Sequence, residues 1–222
     1  WKMVFNPDLI KQAIEVIFST KKGRACNPPL LFNNALVKQV EEVKHLGLIL
    51  DKDLSFVCHI NNSISKAMKG VGLLRSLRNN VPRDSLSTIY KSFIRPFLDY
   101  GDVIYHSPFG NSSLTKLESS QYQAALAISG AWKGTSAAKL YEDLGLETLA
   151  ERRCYRRLLL FGKIINKMAP AYMLASVPSK YKRYRLRRQL DYVTYYCRTS
   201  KFKASFFPAV IFDWTHLDKS FF

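Results

Sequence analysis

The sequence predicts an α+β fold, in which a small N-terminal antiparallel β portion precedes a mainly α-helical remainder. Short β-prone runs separated by turn residues occupy the first fifty residues. From Ile60 onward, apolar residues recur three and four apart, the period of amphipathic helices. Apolar residues make up 47% and aromatic residues 13% of the 222 positions, which excludes a wholly disordered protein. No transmembrane segment is predicted, because no uncharged apolar run approaches the roughly 18 residues of a membrane span.

The first predicted strands lie on both sides of a tight turn. Glu15–Ser19 is β-rich and predicts one strand. Leu30–Phe32 and Leu36–Val40 predict a hairpin that turns at Asn33 and Asn34, because Asn tolerates positive φ. Ahead of these strands, Asn6-Pro7-Asp8 has the pattern of a helix start.

Val43–Leu50 is a mostly apolar run that predicts one further strand, ended by Asp51. Gly47 lies in its middle. A glycine inside a strand is typical of a bulge or of a close approach by another backbone.

Five helices are predicted after the strands. Asn79–Pro82, Gly145 and Ala169-Pro170 are expected to end three of them, and Pro96 is expected to kink the second. The predicted helices cover approximately residues 60–77, 83–98, 111–131, 137–144 and 147–167.

The charge of the chain is large and unevenly placed. The 34 basic and 17 acidic residues give a net charge of +17. Residues 151–205 carry 15 basic and only 2 acidic groups, a net +13 in one segment. A polyanion is the expected partner of such a surface. Four widely separated cysteines argue against a disulfide scaffold and favour a reduced, intracellular setting.

No catalytic constellation can be assembled from the sequence. GxSxG, HExxH and GxxxxGK[ST] do not occur, and the four histidines have no partner at metal-ligand spacing. Asp51 and Asp53 have a spacing that can place two carboxylates near Mg²⁺, but a turn in which Asp accepts local backbone N–H groups is the stronger interpretation. Asp99 and Asp102 are interpreted as helix-end residues. No residue is assigned a catalytic or metal-binding role.

Two basic clusters are candidates for binding phosphate groups. The fifth helix places arginines in pairs, which can contact phosphates bidentately, and the alternative is a solvated helix face. The lack of neighbouring acids in sequence favours phosphate binding. The second cluster, Lys180–Arg188, interleaves tyrosines with cations, as nucleic-acid sites do, although a nuclear import signal or an anionic membrane surface would use the same residues. The predicted residues are Arg152, Arg153, Arg156, Arg157, Lys182, Arg183 and Arg185.

Several phrases of the sequence resemble one family in the right order. These are WKMVFNPDLIKQAIEVIFS, VKHLGLILDKD, IYKSFIRPFLDYGDVIY, LESSQYQAALAISGAWKGTS and LYEDLGLETLAERRCYRRLLLFGKI. The chain resembles the C-terminal part of the reverse transcriptases of non-LTR (LINE-type) retrotransposons over residues 1 to about 170. The resemblance implies a palm edge and primer-grip hairpin over residues 1–55, thumb helices over 56–110, a post-thumb helical region over 111–175 and a basic, aromatic tail over 176–222.

The family's metal-binding turn, Tyr/Phe-x-Asp-Asp, does not occur in the sequence. By resemblance, the chain is an RNA-directed DNA polymerase fragment that binds an RNA/DNA template–primer duplex, and alone it is expected to be inactive. No cofactor is expected in this chain, whereas Mg²⁺ is implied for the intact parent enzyme. The upstream palm and fingers of that parent are the implied protein partner, and a nuclear location is implied if the chain functions as a retrotransposon protein.

The resemblance also implies nucleic-acid contacts nearer the N-terminus. Gly47 would let a primer phosphate approach the grip, with Lys44 and His45 supplying charge, and the alternative is a plain core strand with a bulge. A thumb holds a duplex by its phosphates, so cations of the first long helix are candidates, although each singly is an ordinary surface cation in the alternative reading. These cations are Lys66, Lys69, Arg75 and Arg78.

Two other classes of function stay open. A stand-alone helical interaction module would dock a protein partner with its aromatic C-terminal segment, whereas the same segment would otherwise pack as a strap over the helical core. A peripheral membrane binder would use the basic residues. The aromatic residues concerned are Phe202, Phe206, Phe207, Phe212 and Trp214.

Overall fold

The computed structural model describes residues 14–18, 29–32, 35–105, 112–179 and 192–216. The chain divides into two compact units, Trp1–Asn62 and Ser63–Phe222. Short strands occupy the first and helices the second, which confirms the predicted α+β class. The predicted helix start at Asn6 and the basic cluster Lys180–Arg188 lie outside the described residues. No helix in the described ranges is long and apolar enough to cross a membrane.

The described residues of the first unit form three two-stranded ladders. The predicted hairpin is confirmed, since Leu31 lies opposite Leu36 and Phe32 opposite Ala35 in antiparallel register. The strand predicted over Glu15–Ser19 is shorter and begins one residue earlier, and it pairs in parallel with the end of the predicted return strand. The strands are β1 Ile14–Glu15, β2 Leu31–Phe32, β3 Ala35–Leu36, β4 Lys38–Gln39, β5 Glu42–His45 and β6 Leu48–Asp51. The ladders are β1–β4, β2–β3 and β5–β6.

The run Val43–Leu50 folds as a hairpin, so its interpretation as one bulged strand is wrong. Leu46 and Gly47 form the two-residue turn between β5 and β6, with φ angles of 46° and 85°. Two consecutive positive φ values are typical of the type I′ turn, whose twist matches the flanking strands. Gly47 therefore reverses the chain, and the β-hairpin implied by the resemblance is present.

Asp51 connects the hairpin to the first long helix. Its two carboxylate oxygens accept the backbone N–H groups of Ser55, at 3.0 Å, and Phe56, at 2.9 Å. Helix α1, Val57–Leu77, begins at the next residue. The interpretation of Asp51 as an acceptor for local backbone donors is confirmed.

The helices of the second unit agree with the predicted periodicity to within a few residues. Helix α7 begins with a capping box in which the Thr148 hydroxyl accepts the Glu151 N–H and the Glu151 carboxylate accepts the Thr148 N–H. Gly145, at φ 58°, ends α6 as predicted. The helices that follow α1 are α2 Arg83–Ile89, α3 Arg95–Asp99, α4 Asp102–Tyr105, α5 Ser112–Ser129, α6 Ala137–Leu144, α7 Leu149–Ile165, α8 Ala171–Ala175, α9 Ser200–Ala204 and α10 Phe206–His216.

The disturbance predicted at Pro96 takes the form of a π turn. Residues Tyr90–Ile94 have π geometry between α2 and α3, and the Arg95 N–H donates to the Tyr90 carbonyl. A proline ring clashes with the carbonyl four residues before it and donates no hydrogen bond. One wider turn ahead of Pro96 accommodates both effects, and the helix continues beyond it.

The core of the second unit is mainly apolar, and it includes a chain of polar contacts from Tyr90 to Glu147. Gly70 lets α1 approach the π turn, because a Cβ at this position would lie 2.6 Å from Ile94 Cγ1. The Tyr90 hydroxyl donates to Gln121 Oε1 at 2.6 Å, and Gln121 Nε2 donates to the Glu147 carbonyl at 2.8 Å. The enclosing side chains include Val71, Leu74, Leu86, Leu98, Leu117 and Leu149.

The aromatic C-terminal segment packs against α7, as the strap interpretation predicts. Phe161 of α7 contacts Tyr192 and Trp214 edge to face, with ring centroids 5.5 and 5.4 Å apart. Val210 and Ile211 of α10 complete this cluster, and Phe206 packs on it. Most of the apolar face of α10 is therefore used inside the protein.

Candidate nucleic-acid interface

The four arginines predicted to form a phosphate-binding face on α7 lie largely inside the protein. The side chains of Arg153 and Arg157 are 2% and 1% exposed. Arg152 and Arg156 are partly exposed, but their guanidinium groups face carboxylates. Two of the four residues are thus inaccessible to a phosphate group in this structure, and the other two already have anionic partners.

Asp99 and Asp102 are the main partners of the two partly exposed arginines. Asp99 Oδ2 lies 2.9 Å from Arg152 Nη2 and 3.4 Å from Arg156 Nη1. Asp102 Oδ2 lies 3.2 Å from Arg156 Nη1, and Glu147 Oε2 lies 3.3 Å from Arg152 Nη1. The expectation that no acids neutralise this helix face is wrong, because acids come from α3, from α4 and from Glu147, which precedes α7.

The position of Asp99 and Asp102 confirms their interpretation as helix-end residues and adds a role that the sequence did not show. Asp99 ends α3 and Asp102 begins α4, and both are buried. Burial raises the pKa of Asp102, and the positive charge of Arg156 opposes that rise. The two carboxylates fix α3 and α4 to α7 through their arginine partners.

Arg157 and Arg153 occupy the interior on the other side of α7. Arg157 Nε donates to Asp213 Oδ2 at 2.8 Å, which joins α7 to α10. Burial lowers the pKa of Arg153, and within the described residues its Nε and Nη2 atoms have no hydrogen-bond partner. These two arginines are parts of the core, and neither is accessible to a phosphate group in this structure.

The hairpin β5–β6 does not bring its predicted cations to one surface. Lys44 and His45 are consecutive residues of β5, opposite Ile49 and Leu48, so their side chains point to opposite faces. Both are exposed, and Gly47 is exposed in the turn. A phosphate held on one face of the hairpin would therefore meet one of the two cations.

The four cations predicted on α1 and just after it divide into two pairs. Lys66 and Lys69 lie three residues apart on one flank, where Lys66 Nζ stands 5.9 Å from the centroid of the Phe97 ring. Arg75 and Arg78 lie on the opposite flank, toward α5. Their guanidinium groups donate to Gln123 Oε1 at 2.8 Å and to the Gly130 carbonyl at 3.2 Å, respectively.

The exposed aromatic rings beside Lys66 were not predicted. The sequence places Phe93 and Phe97 on the broad apolar face of the second helix, as if buried. In the structure Phe93 is 71% exposed and Phe97 is 42% exposed. The sequence did contain one signal of this exposure. The apolar face of the second predicted helix is wider than the surface that one packed neighbour can cover. Together with Lys66 and Lys69, these rings form a surface that we call the α1 flank.

Two remaining subjects of the sequence analysis are the second basic cluster and metal binding. Lys182, Arg183 and Arg185 lie outside the described residues. In the ranges that the structure describes, no group of three or more His, Cys, Asp or Glu side chains is placed to hold a metal ion. The two carboxylate oxygens of Asp51 accept backbone N–H groups, which is the turn role favoured over Mg²⁺ binding.

Comparison with known proteins finds similarity to RNA-directed DNA polymerases of mobile elements. The chain is 27% identical over 200 residues to the RNA-directed DNA polymerase from mobile element jockey of Drosophila melanogaster, covering 85% of this chain and 21% of that protein. The jockey polymerase of Drosophila funebris is 28% identical over 59% of the chain, covering 14% of its own length. The probable RNA-directed DNA polymerase from transposon BS of Drosophila melanogaster is 24% identical over 68% of the chain, covering 17% of its own length.

No family model matches the sequence. No solved structure matches the chain either. The chain spans about a fifth or less of the length of the curated relatives named above. The resemblance inferred from the sequence is nevertheless confirmed: this chain is similar to one part of the RNA-directed DNA polymerases of non-LTR elements.

Proposed function

We propose that the chain is a fragment of an RNA-directed DNA polymerase of a non-LTR element and that it binds template–primer nucleic acid through the phosphate backbone. The similarity to such polymerases over 85% of the chain is the observation that supports this proposal most. The accessible cations of the α1 flank are the groups that would contact the phosphates. The proposal does not use the α7 arginines, because two of them are buried and the other two are paired with carboxylates.

The α1 flank is suited to phosphate because its cations are not neutralised. Among the described residues, neither Lys66 nor Lys69 takes part in an ion pair, whereas Arg152, Arg156 and Arg157 each do. A free cation that meets a phosphate releases condensed counterions, and this release adds affinity that falls as salt rises. Contacts of this kind hold a duplex irrespective of its sequence, as a polymerase requires.

The ring beneath Lys66 supports the same function. Phe97 keeps the lysine over its face, which limits the positions open to the ammonium group. Phe93, one turn earlier, presents a second accessible ring. Cations next to accessible aromatic rings are typical of surfaces that bind nucleic acid.

Titration with a labelled RNA/DNA primer–template at several salt concentrations tests the proposal. The full chain is expected to bind with a steep salt dependence. The variant Lys66→Ala/Lys69→Ala is expected to bind more weakly on every sequence and to lower the slope of log K against log salt by up to about 2. The charge-matched control is Lys163→Ala/Lys167→Ala, which removes two exposed lysines at the end of α7.

Absence of duplex binding by the full chain at low salt would refute the proposal. An equal loss in both double variants would show that net charge alone matters and would remove the α1 flank from the site. Selective loss on Lys66→Ala/Lys69→Ala supports it.

We also propose that the chain alone does not polymerise. Its sequence contains no Tyr/Phe-x-Asp-Asp turn, and the oxygens of Asp51 are engaged by backbone N–H groups. Purified chain supplied with primer–template, deoxynucleotides and Mg²⁺ is expected to extend no primer. Extension that survives repeated purification would overturn this part of the proposal.

A further inference from the structure

The loop between α5 and α6 presents a tryptophan to solvent. Trp132 is 89% exposed, although tryptophan is on average a highly buried residue. The loop runs from Gly130 to Ser136, and Lys133 follows Trp132 with its side chain also exposed. Because the exposed indole gains none of the free energy that burial would supply, its surface is available to a ligand.

Hydrogen bonds hold the backbone around Trp132 in place. The N–H and the hydroxyl of Thr135 both donate to the Trp132 carbonyl, at 3.1 and 2.8 Å. The Tyr122 hydroxyl of α5 donates to the Thr135 carbonyl at 3.0 Å and accepts the Gly134 N–H at 3.1 Å. The indole is therefore carried by an ordered turn, and ordering of the backbone on binding costs little.

The Gly130–Ser136 loop lies near basic side chains, and the stretches of sequence around it contain no acidic residue. Arg78 donates to the Gly130 carbonyl at 3.2 Å, and Arg75 donates to Gln123 of α5 at 2.8 Å. Lys133 adds a third positive charge. Neither of the two contacting stretches, residues 75–82 and 119–141, contains an Asp or a Glu. This surface, which we call the Trp132 loop surface, thus combines one accessible ring with three cations.

We propose that the Trp132 loop surface binds a single-stranded segment of nucleic acid, with Trp132 stacked on one unpaired base and Arg75, Arg78 and Lys133 facing the neighbouring phosphates. Only an unpaired base offers its face to a side chain, whereas a duplex buries its base faces in the stack. The positive charge favours a polyanion over an apolar protein partner. The inference rests on the proposed function, and it adds a binding surface for the single-stranded part of the nucleic acid that extends beyond the duplex.

Two probes separate single-strand binding from duplex binding. One is a blunt RNA/DNA duplex, and the other is the same duplex with a single-stranded template extension. Trp132→Ala is expected to weaken binding of the extended probe by about fivefold or more and to leave the blunt duplex unaffected. Trp132→Phe is expected to keep most of the affinity. Tyr196→Ala is the matched control, because Tyr196 is an aromatic residue 87% exposed elsewhere.

Fluorescence supplies a second readout on the unmodified protein. Stacking on a base is expected to quench the indole emission when oligothymidylate is added, and the quenching is expected to disappear in Trp132→Phe. Unchanged thermal unfolding of Trp132→Ala establishes that the variant is folded, since so exposed a side chain contributes little to the core.

The outcomes distinguish this inference from the proposed function. If the full chain binds both probes and Trp132→Ala changes neither, or weakens both equally, stacking by Trp132 is refuted and duplex binding stands. Quenching that persists in Trp132→Phe refutes it as well, because another tryptophan is then responsible. If the full chain binds neither probe, both proposals fail together.

Discussion

Gly130 adopts a positive φ angle and also contacts the side chain of Arg78. Its φ of 76° lies in a region that residues with a Cβ rarely adopt, and a Cβ there would lie 2.3 Å from Arg78 Nη2. The same glycine offers the carbonyl that Arg78 binds. One position therefore fixes the start of the Trp132 loop and the place of a neighbouring cation.

Gly130→Ala is expected to lower the free energy of unfolding by about 1 kcal/mol or more, because alanine is strained at positive φ and displaces the guanidinium group. Gly72→Ala is the matched control in the same unit. Gly72 lies inside α1 with nothing within 4 Å of its absent Cβ, so alanine is expected to stabilise the helix by about 0.5–1 kcal/mol. Urea denaturation of both variants measures the difference. A neutral Gly130→Ala would contradict the strained-glycine argument.

Arg157 and Asp213 form an ion pair from which solvent is largely excluded. Asp213→Ala is expected to lower the free energy of unfolding by about 3–5 kcal/mol, because it leaves the buried Arg157 charge without its partner. Replacing both residues, as Arg157→Met/Asp213→Leu, is expected to recover most of that loss. Chemical denaturation of the single and double variants measures the coupling. A double variant as unstable as Asp213→Ala would show that apolar packing cannot substitute for the pair.

At the scale of elements, the local signals gave most of the helices. Helix periodicity and the breaks at Pro82 and Gly145 act over a few residues, and each is visible in the chain order. The run Val43–Leu50 was misjudged because its apolar residues are compatible with one strand or with two. Only the positive φ values at Leu46 and Gly47 decide for the hairpin, and these are properties of the fold.

Asp51 stabilises the connection from β6 to α1 in a way that depends on pH. Burial alone would raise its pKa, but hydrogen bonds from Ser55 and Phe56 outweigh burial and hold the pKa below 3.8. A lowered pKa in the folded state means that the carboxylate's stabilisation is fully present above its unfolded pKa. It is lost as pH falls through the folded value.

Asp51→Asn is accordingly expected to cost about 1 kcal/mol of unfolding free energy between pH 5 and 7. The difference from the unsubstituted chain is expected to shrink as the pH falls below about 3.8, where Asp51 of the unfolded chain becomes protonated, and on through the lower pKa of the folded carboxylate. Thermal unfolding across this pH range checks both parts. A difference that stays constant down to pH 3 would show that the ionised carboxylate is not the stabilising form.

At the scale of the whole molecule, charge in the sequence and charge at the surface differ. Apart from Glu147, the carboxylates that pair with the α7 arginines lie 53 to 57 residues from them along the chain, so no local window of sequence contains both partners. Phe93 was placed on an apolar helix face and Trp132 was passed over for the same reason, since exposure is decided by which helices pack together. The family resemblance was accessible from the sequence because phrases in order require no knowledge of contacts.

Among the described residues, the α7 arginines Arg152 and Arg156 pair with carboxylates and the lysines of the α1 flank do not, and two variants of equal charge test whether only the lysines bind nucleic acid. Arg152→Gln/Arg156→Gln and Lys66→Ala/Lys69→Ala each remove two positive charges. The first is expected to lower the melting temperature, because Asp99 and Asp102 lose their partners while buried, and to leave primer–template affinity unchanged at temperatures where the variant is folded. The lysine variant is expected to weaken binding and to leave the melting temperature nearly unchanged, because exposed lysines without ion pairs contribute little to folding.

Thermal unfolding and anisotropy titration on the same preparations measure the melting temperature and the affinity of each variant. Loss of affinity in a folded Arg152→Gln/Arg156→Gln variant would return α7 to the binding surface and contradict the division.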